Sequence, residues 1–191
     1  MDGDPLAELH LRAKQGDERA TTELVRKLAP VASRIIHSLA GRTAFHDDLV
    51  QEALVLFVRA LPRFEGRSSV ETYLYGICVN VVRHSERAGA RFLRALEGLF
   101  RAREEKPAAA APYREMRGAE RAAAIQRLLR RLPPKRREVL VLYEMEGKSA
   151  VEVAEILGIP ESTVRTRLHH ARKAFRRLAE KAPEIREDLD G

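Results

Sequence analysis

The chain has 191 residues, enough for one medium domain or two small ones, and 45% of them are apolar, so a real core can form. Its 35 Lys and Arg against 28 Asp and Glu leave a formal charge of +7, which suits a polyanionic partner. One cysteine, Cys78, excludes an intramolecular disulfide and a cysteine-rich zinc site, and with no charged-then-apolar leader and no run of about 18 apolar residues, a cytoplasmic location without a membrane span is expected.

The charge is unevenly spread. Residues 1–86 hold 11 basic and 12 acidic groups, residues 87–118 hold 8 and 4, and residues 119–191 hold 16 and 12. The first 86 residues are therefore no general DNA-binding surface. Period-two alternation is nowhere sustained, so the fold class expected is all-α.

In chain order, the first strongly periodic stretch is "DDLVQEALVLFVRAL", with Leu49, Ala53, Phe57 and Leu61 on one stripe. Asp48, Gln51, Glu52 and Val55 lie away from it, and a valine ringed by polar groups is a candidate partner contact. Phe64, Glu65, Gly66, Arg67, Ser68 and Ser69 then form a loop, and Ser68 with Glu71 fits a capping box that opens a long helix. Leu74, Ile77, Cys78 and Val81 form its inner stripe. Thr72, Tyr75, Asn80, Arg83 and Arg87 are left on other faces, and aromatic, amide and basic groups side by side are the chemistry that stacks and tracks single-stranded DNA.

Next comes "RFLRALEGLFRA", whose Phe92, Leu93, Leu96, Leu99 and Phe100 share one side at helical spacing. Such a stripe predicts an extra helix that docks two domains together in the free chain. The proline-bounded alanine run in "AREEKPAAAAPYREMRGAER", residues 102–121, reads as a linker.

The last region contains "SAVEVAEILG" and "GIPESTVRTRLHHARKAFRRL". Ser149 with Glu152 fits a capping box, Gly158 can end the first helix in a left-handed conformation, and a second helix starts near Pro160. Two helices across so short a turn make a helix-turn-helix. In the second, Val164, Leu168, Ala171, Phe175 and Leu178 face inward, while Ser162, Thr166, His169 and Lys173 form a ridge flanked by Arg165, Arg172, Arg167 and His170. Such a helix enters the major groove, about 12 Å wide, and Arg165, Thr166 and His169 are the expected base readers, with Arg167, His170 and Lys173 nearer phosphates.

Enzyme chemistry finds no footing. "EMEGKS" lacks the first glycine of a phosphate-binding loop, since Leu142 holds that place. His169 and His170 have no cysteine partners or HExxH spacing, and no nucleophile with a base assembles locally, so neither a metal, a cofactor nor a small-molecule substrate is expected.

Together, "DLVQEALVLFVRALPRFEGRSSVETYLYGICVN" and "LPPKRREVLVLYEMEGKSAVEVAEILGIPESTVRTRLHHARKAFRRL" resemble regions 2 and 4 of bacterial sigma factors of the extracytoplasmic-function (ECF) group. The opening "AKQGDERATTELVRKLAPVASRIIHSLAG" resembles that family's first helices. The resemblance implies region 2 over residues 1–88, a linker over 89–118, region 4 over 119–182 and a tail over 183–191, and an alternative sigma factor that recruits core RNA polymerase, through its clamp helices and flap, to promoter DNA. It implies that Asp48, Leu49, Gln51, Glu52 and Val55 face the clamp. It implies that the loop Phe64 to Ser69 pockets a flipped base of the minus-10 element and that Thr72, Tyr73, Tyr75 and Asn80 hold the melted strand. Arg165, Thr166 and His169, with Ser162, Arg167, His170 and Lys173 beside them, match the minus-35 readers, and an anti-sigma protein is a further candidate partner.

Four positions depart from the family's pattern: Tyr73 stands for a usual tryptophan, Gly76 and Val79 for basic residues, and His84 for a frequent aspartate. Weaker strand contact by this helix follows. Two other readings fit parts of the chain, a helix-turn-helix regulator acting as a homodimer and a sigma-like adaptor that binds polymerase without melting promoters.

Overall fold

The computed structural model describes residues 5–97 and 116–182, and all regular structure among them is helical. Helix α1 (Pro5–Lys14) leads into α2 (Glu18–Ala40), whose start is fixed by Asp17. Its carboxylate accepts from the backbone N–H of Arg19 and Ala20 at 3.0 Å each, which satisfies two donors the helix leaves unpaired. Helix α2 buries Leu24, Leu28, Ala32, Ile35, Ile36 and Leu39, and α3 (His46–Ala60) buries Leu49, Ala53 and Phe57. The 3-10 turn Leu61–Arg63 and a loop then lead to α4 (Val70–Glu97). These four helices pack on one another around an apolar core.

The start of α4 corrects the expected capping box by one residue. Ser69 Oγ accepts from the backbone N–H of Thr72 at 3.0 Å, so Ser69 and not Ser68 holds the first turn. Glu71 is left to meet Lys148 at 3.9 Å instead. Helix α4 also runs unbroken past residue 88 to Glu97, so the backbone of the expected linker helix is, as far as it is described, a continuation of α4. The rest of that stretch and the side chains of its stripe lie outside the described residues.

The second half begins with α5 (Met116–Arg130), which takes up the end of the stretch read as linker. Helix α6 (Pro134–Leu140) passes into a π-helical turn, Val141–Met145. Helices α7 (Ala150–Leu157) and α8 (Glu161–Ala179) complete the helix-turn-helix. Here the local chemistry matches the sequence closely. Ser149 and Glu152 form both bonds of the capping box, and Gly158 closes α7 at φ 62°, ψ 41°, the left-handed region that costs a glycine nothing. Val164, Leu168 and Ala171 are buried against α6 and α7.

The two halves are in contact. Helix α7 lies on α4, and α5 and the π-helical turn lie on α2, so one continuous apolar cluster runs from Leu9 through Cys78 to Ala171. Gly76 faces α7: a Cβ there would sit 3.5 Å from the Ile156 carbonyl, an ordinary van der Waals contact. Cys78 is buried in this core, and desolvation pushes its thiol up to about 12, so it behaves as a small apolar group.

Candidate nucleic-acid interface

Helix α8 presents the basic ridge that periodicity predicts. Ser162, Arg165, Thr166, His169, His170 and Lys173 are exposed, and Arg167 is half-buried. The ridge is not uniform. Arg165 donates from Nε and Nη2 to Glu161 Oε1 at 3.1 and 2.5 Å, and Arg172 donates from Nε to Glu144 Oε1 at 2.7 Å while lying 5.4 Å from the Tyr143 ring centre. Thr166 Oγ1 donates to the Ser162 carbonyl at 2.9 Å, which uses its one hydroxyl proton and leaves the oxygen as an acceptor. His169 and His170, on neighbouring faces, touch edge to face with ring centres 5.5 Å apart. Among the described residues, no cluster of three or more histidine, cysteine or acidic side chains could hold a metal ion.

Helix α3 carries the other exposed set. Asp48, Gln51, Glu52 and Val55 are exposed, with Val55 at 41% and its neighbour Leu56 at 40%. Leu49 is 7% exposed and shares the inward stripe with Ala53 and Phe57, as its periodicity predicts, which corrects the placement against the clamp that the resemblance implies. Between α2 and α3 runs an apolar groove lined by Val25, Val50, Leu54, Val55 and Val58, together with Asp47, Gln51 and Arg59.

The loop before α4 is partly open and partly anchored. Glu65, Gly66, Arg67 and Ser69 are exposed, Ser68 is half-buried, and Glu65 pairs with Arg67 at 2.6 Å. Phe64, read as part of an open loop, is 6% exposed. Its ring packs 4.6 Å from Tyr73 and 4.9 Å from His10, and its carbonyl accepts from Lys14 Nζ at 2.9 Å. Apolar packing and an anchoring donor from α1 thus make Phe64 the wall of the loop.

Helix α4 differs most from expectation. Asn80 is exposed and Tyr73 half-buried, but Thr72 is 5% and Tyr75 1% exposed. Tyr75 is covered by the second half of the chain. Its hydroxyl donates to Glu146 Oε2 at 2.8 Å and accepts from Arg34 Nη2 at 3.0 Å, while Lys148 Nζ lies 4.7 Å from its ring centre. Glu146 also accepts from Arg34 Nε at 2.9 Å and from Ser38 Oγ at 3.3 Å, and its side chain is 2% exposed. Burial, then the bond to Glu146, push the Tyr75 phenol well above its usual range, so it stays a neutral donor. A second seam lies further along α4: Arg83 clasps Glu138 through two 2.7 Å bonds, and Arg137 pairs with Glu86. Sequence periodicity had no access to Arg34, Ser38, Glu138 and Glu146 as a group, because each is polar and their partners lie 41 to 112 positions away.

Comparison with known proteins agrees with this architecture. The Sigma-70 region 2 family matches residues 24–92 and Sigma-70, region 4 matches residues 122–175. The ECF RNA polymerase sigma factor ShbA of Streptomyces griseus is 32% identical over 177 residues, covering 88% of this chain and 92% of that protein. The ECF RNA polymerase sigma-E factor of Escherichia coli K12 is 32% identical, covering 86% and 88%, and SigW of Bacillus subtilis is 28% identical, covering 87% and 92%. Among solved structures, CnrH in complex with the cytosolic domain of CnrY shares the fold at a TM-score of 0.69 and 24% identity, covering 94% of this chain and 99% of that one. The sigma factor RpoE in complex with the anti-sigma factor NepR from Bartonella quintana does so at 0.64 and 22%, covering 85% and 97%. With regions 2 and 4 in order along one all-helical chain, the protein belongs to the ECF group of the sigma-70 family.

Proposed function

We propose that this chain is an alternative sigma factor that binds core RNA polymerase in the cytoplasm, recognises a two-part promoter and opens it. Region 2 meets the polymerase clamp through Asp48, Gln51, Glu52 and Val55, whose helix is exposed and borders an apolar groove. The loop Glu65 to Ser69, walled by Phe64, receives a flipped minus-10 base, and Thr72, Tyr73, Tyr75 and Asn80 line the path of the melted strand. Flipping costs a few kcal/mol, which stacking on tyrosine rings of about 1 to 3 kcal/mol per base can offset. Region 4 reads the minus-35 element with Arg165, Thr166 and His169, while Ser162, Arg167, His170 and Lys173 serve the backbone and the polymerase flap holds the domain in place.

The observation that carries this reading is the order of the two sigma-70 regions in one chain, with α3 and the α8 ridge both open to solvent. Tyr75 adds a condition. It lies under region 4, so the halves must part before a base can stack on it, whereas α3 and its groove need no such change. Polymerase capture therefore precedes contact with the melted strand. An anti-sigma protein would act on the same balance by holding the halves together.

The adaptor reading draws support from the same burial of Tyr75 and from Gly76 and Val79, which supply no charge to a strand. Competition tests the polymerase role that both share: the purified chain should displace a labelled housekeeping sigma factor from core polymerase. A chain that leaves the labelled protein bound at saturating concentration has no such role.

A further inference from the structure

The pairing of cations on α8 separates them into two kinds. Arg165 and Arg172 are each neutralised by a carboxylate, Glu161 and Glu144. Arg167 and Lys173 have no carboxylate partner among the described residues. Free cations answer to phosphate whatever the sequence, and their contribution falls as salt rises. A compensated arginine adds little of that general attraction. What it keeps is directional: five N–H groups in a planar fork, of which Glu161 takes one on Nε and one on Nη2. The terminal edge, with N–H groups on both Nη1 and Nη2, stays open, and that edge matches the O6 and N7 acceptors of guanine.

Glu161 is also the only acidic residue in α8, and it occupies the first turn, the end that enters the groove. An unpaired carboxylate there would face phosphates of like sign. Held against Arg165, with the side chains 39% and 73% exposed, it is part of the surface that meets the bases.

We propose that Glu161 is a specificity-determining positioning residue, bracing the side edge of the Arg165 guanidinium so that its terminal N–H pair reads one guanine in the major groove. This rests on the DNA-reading role of α8 given above and adds to it the residue that aims the reader. The plain alternative is a surface pair that steadies the helix start through charge near its N-terminus.

The test uses the full chain alone, because the α8 ridge is open without polymerase. Wild type, Glu161→Gln, Arg165→Ala and the double variant each select from a pool of randomised duplex DNA, and the base preferences are read by sequencing. Wild type should enrich guanine at one position. Both single variants should lower that preference at least about five-fold, the low end of one base contact, and the double variant should lose no more than Arg165→Ala alone. Glu161→Gln should at the same time bind scrambled duplex more tightly, since it removes a negative charge from the ridge. A purely helix-steadying Glu161 would instead lower the melting temperature and weaken all duplexes alike. The proposal is overturned if the Glu161→Gln preferences match wild type, if they change at a position that Arg165→Ala leaves intact, if the two losses add, or if wild type selects no sequence. A chain that selects its site yet never joins polymerase would leave this inference standing and remove the polymerase role.

Discussion

The Tyr75 hydroxyl lies 2.8 Å from Glu146 Oε2, a bond between the long helix of region 2 and the end of the π-helical turn of region 4. Both side chains are almost wholly buried, and Arg34 and Ser38 complete the set. Losing one member of such a group leaves the others without partners, at about 1 to 3 kcal/mol, which is roughly a 5- to 150-fold change in a two-state balance. Glu146→Ala should therefore shift the free chain toward parted halves, and Gly76→Arg should do the same by setting a bulky, charged side chain at a position whose Cβ would lie 3.5 Å from the Ile156 carbonyl of α7. Small-angle scattering should show a larger radius of gyration for both, with helix content unchanged. Scattering curves identical to wild type would show that these contacts do not hold the halves together.

On α3, Val55→Asp and Glu52→Lys change exposed side chains that the core does not use. Each should lower affinity for core polymerase at least about five-fold, as loss of an interface contact above 1 kcal/mol does, while the melting temperature stays within a few degrees. Equal affinity in the folded variants would move the polymerase contact elsewhere on the chain.

His169→Ala should weaken recognition at one upstream base by about 1 to 3 kcal/mol and leave scrambled duplex unaffected. Lys173→Ala should weaken every sequence alike and reduce the salt dependence of binding by about one phosphate. Binding isotherms on matched and scrambled duplexes check both, and interchange of the two patterns would reverse the roles assigned along the ridge.

Acid should loosen region 2. Burial, followed by repulsion from Lys14, holds His10 below its usual value of 6.5, and burial, then His46 and Arg42, do the same for His37. Below 6.5 the unfolded chain takes up protons that the folded chain refuses, so stability present above that value is lost as pH falls through the lowered ones. Thermal melting should drop between about pH 7.5 and pH 5.5, and His10→Leu should flatten part of that slope. A slope unaltered in His10→Leu would show that the histidine against Phe64 takes no part.

What the sequence discloses depends on whether the determining interaction is local. The α7–α8 pair was legible because its signals lie within a few residues of one another: Ser149 with Glu152, the left-handed Gly158, and a stripe recurring every three to four positions. The α3 stripe, Leu49 included, was legible for the same reason, and it was the resemblance, not the periodicity, that set Leu49 against the clamp. The spacing of Ser68 to Glu71 pointed to the wrong serine, and only the bond from Thr72 to Ser69 Oγ shows which residue caps α4. The seam between the halves was not legible in its particulars. Tyr75 alternates with inward residues and reads as an available aromatic until Glu146, 71 positions on, supplies its partner. The departures at Gly76 and Val79 did carry a signal: small and apolar residues at these positions fit an α4 face covered by α7 better than one that follows a charged strand.

Transcription by sigma-free core polymerase, with and without the purified chain, on a library of genomic fragments from its own host tests the central claim most directly. The account predicts new transcripts with defined start points, sharing one upstream and one downstream element, that vanish with Val55→Asp. Polymerase that takes up the chain yet yields no new start points would contradict promoter opening and leave only the adaptor role.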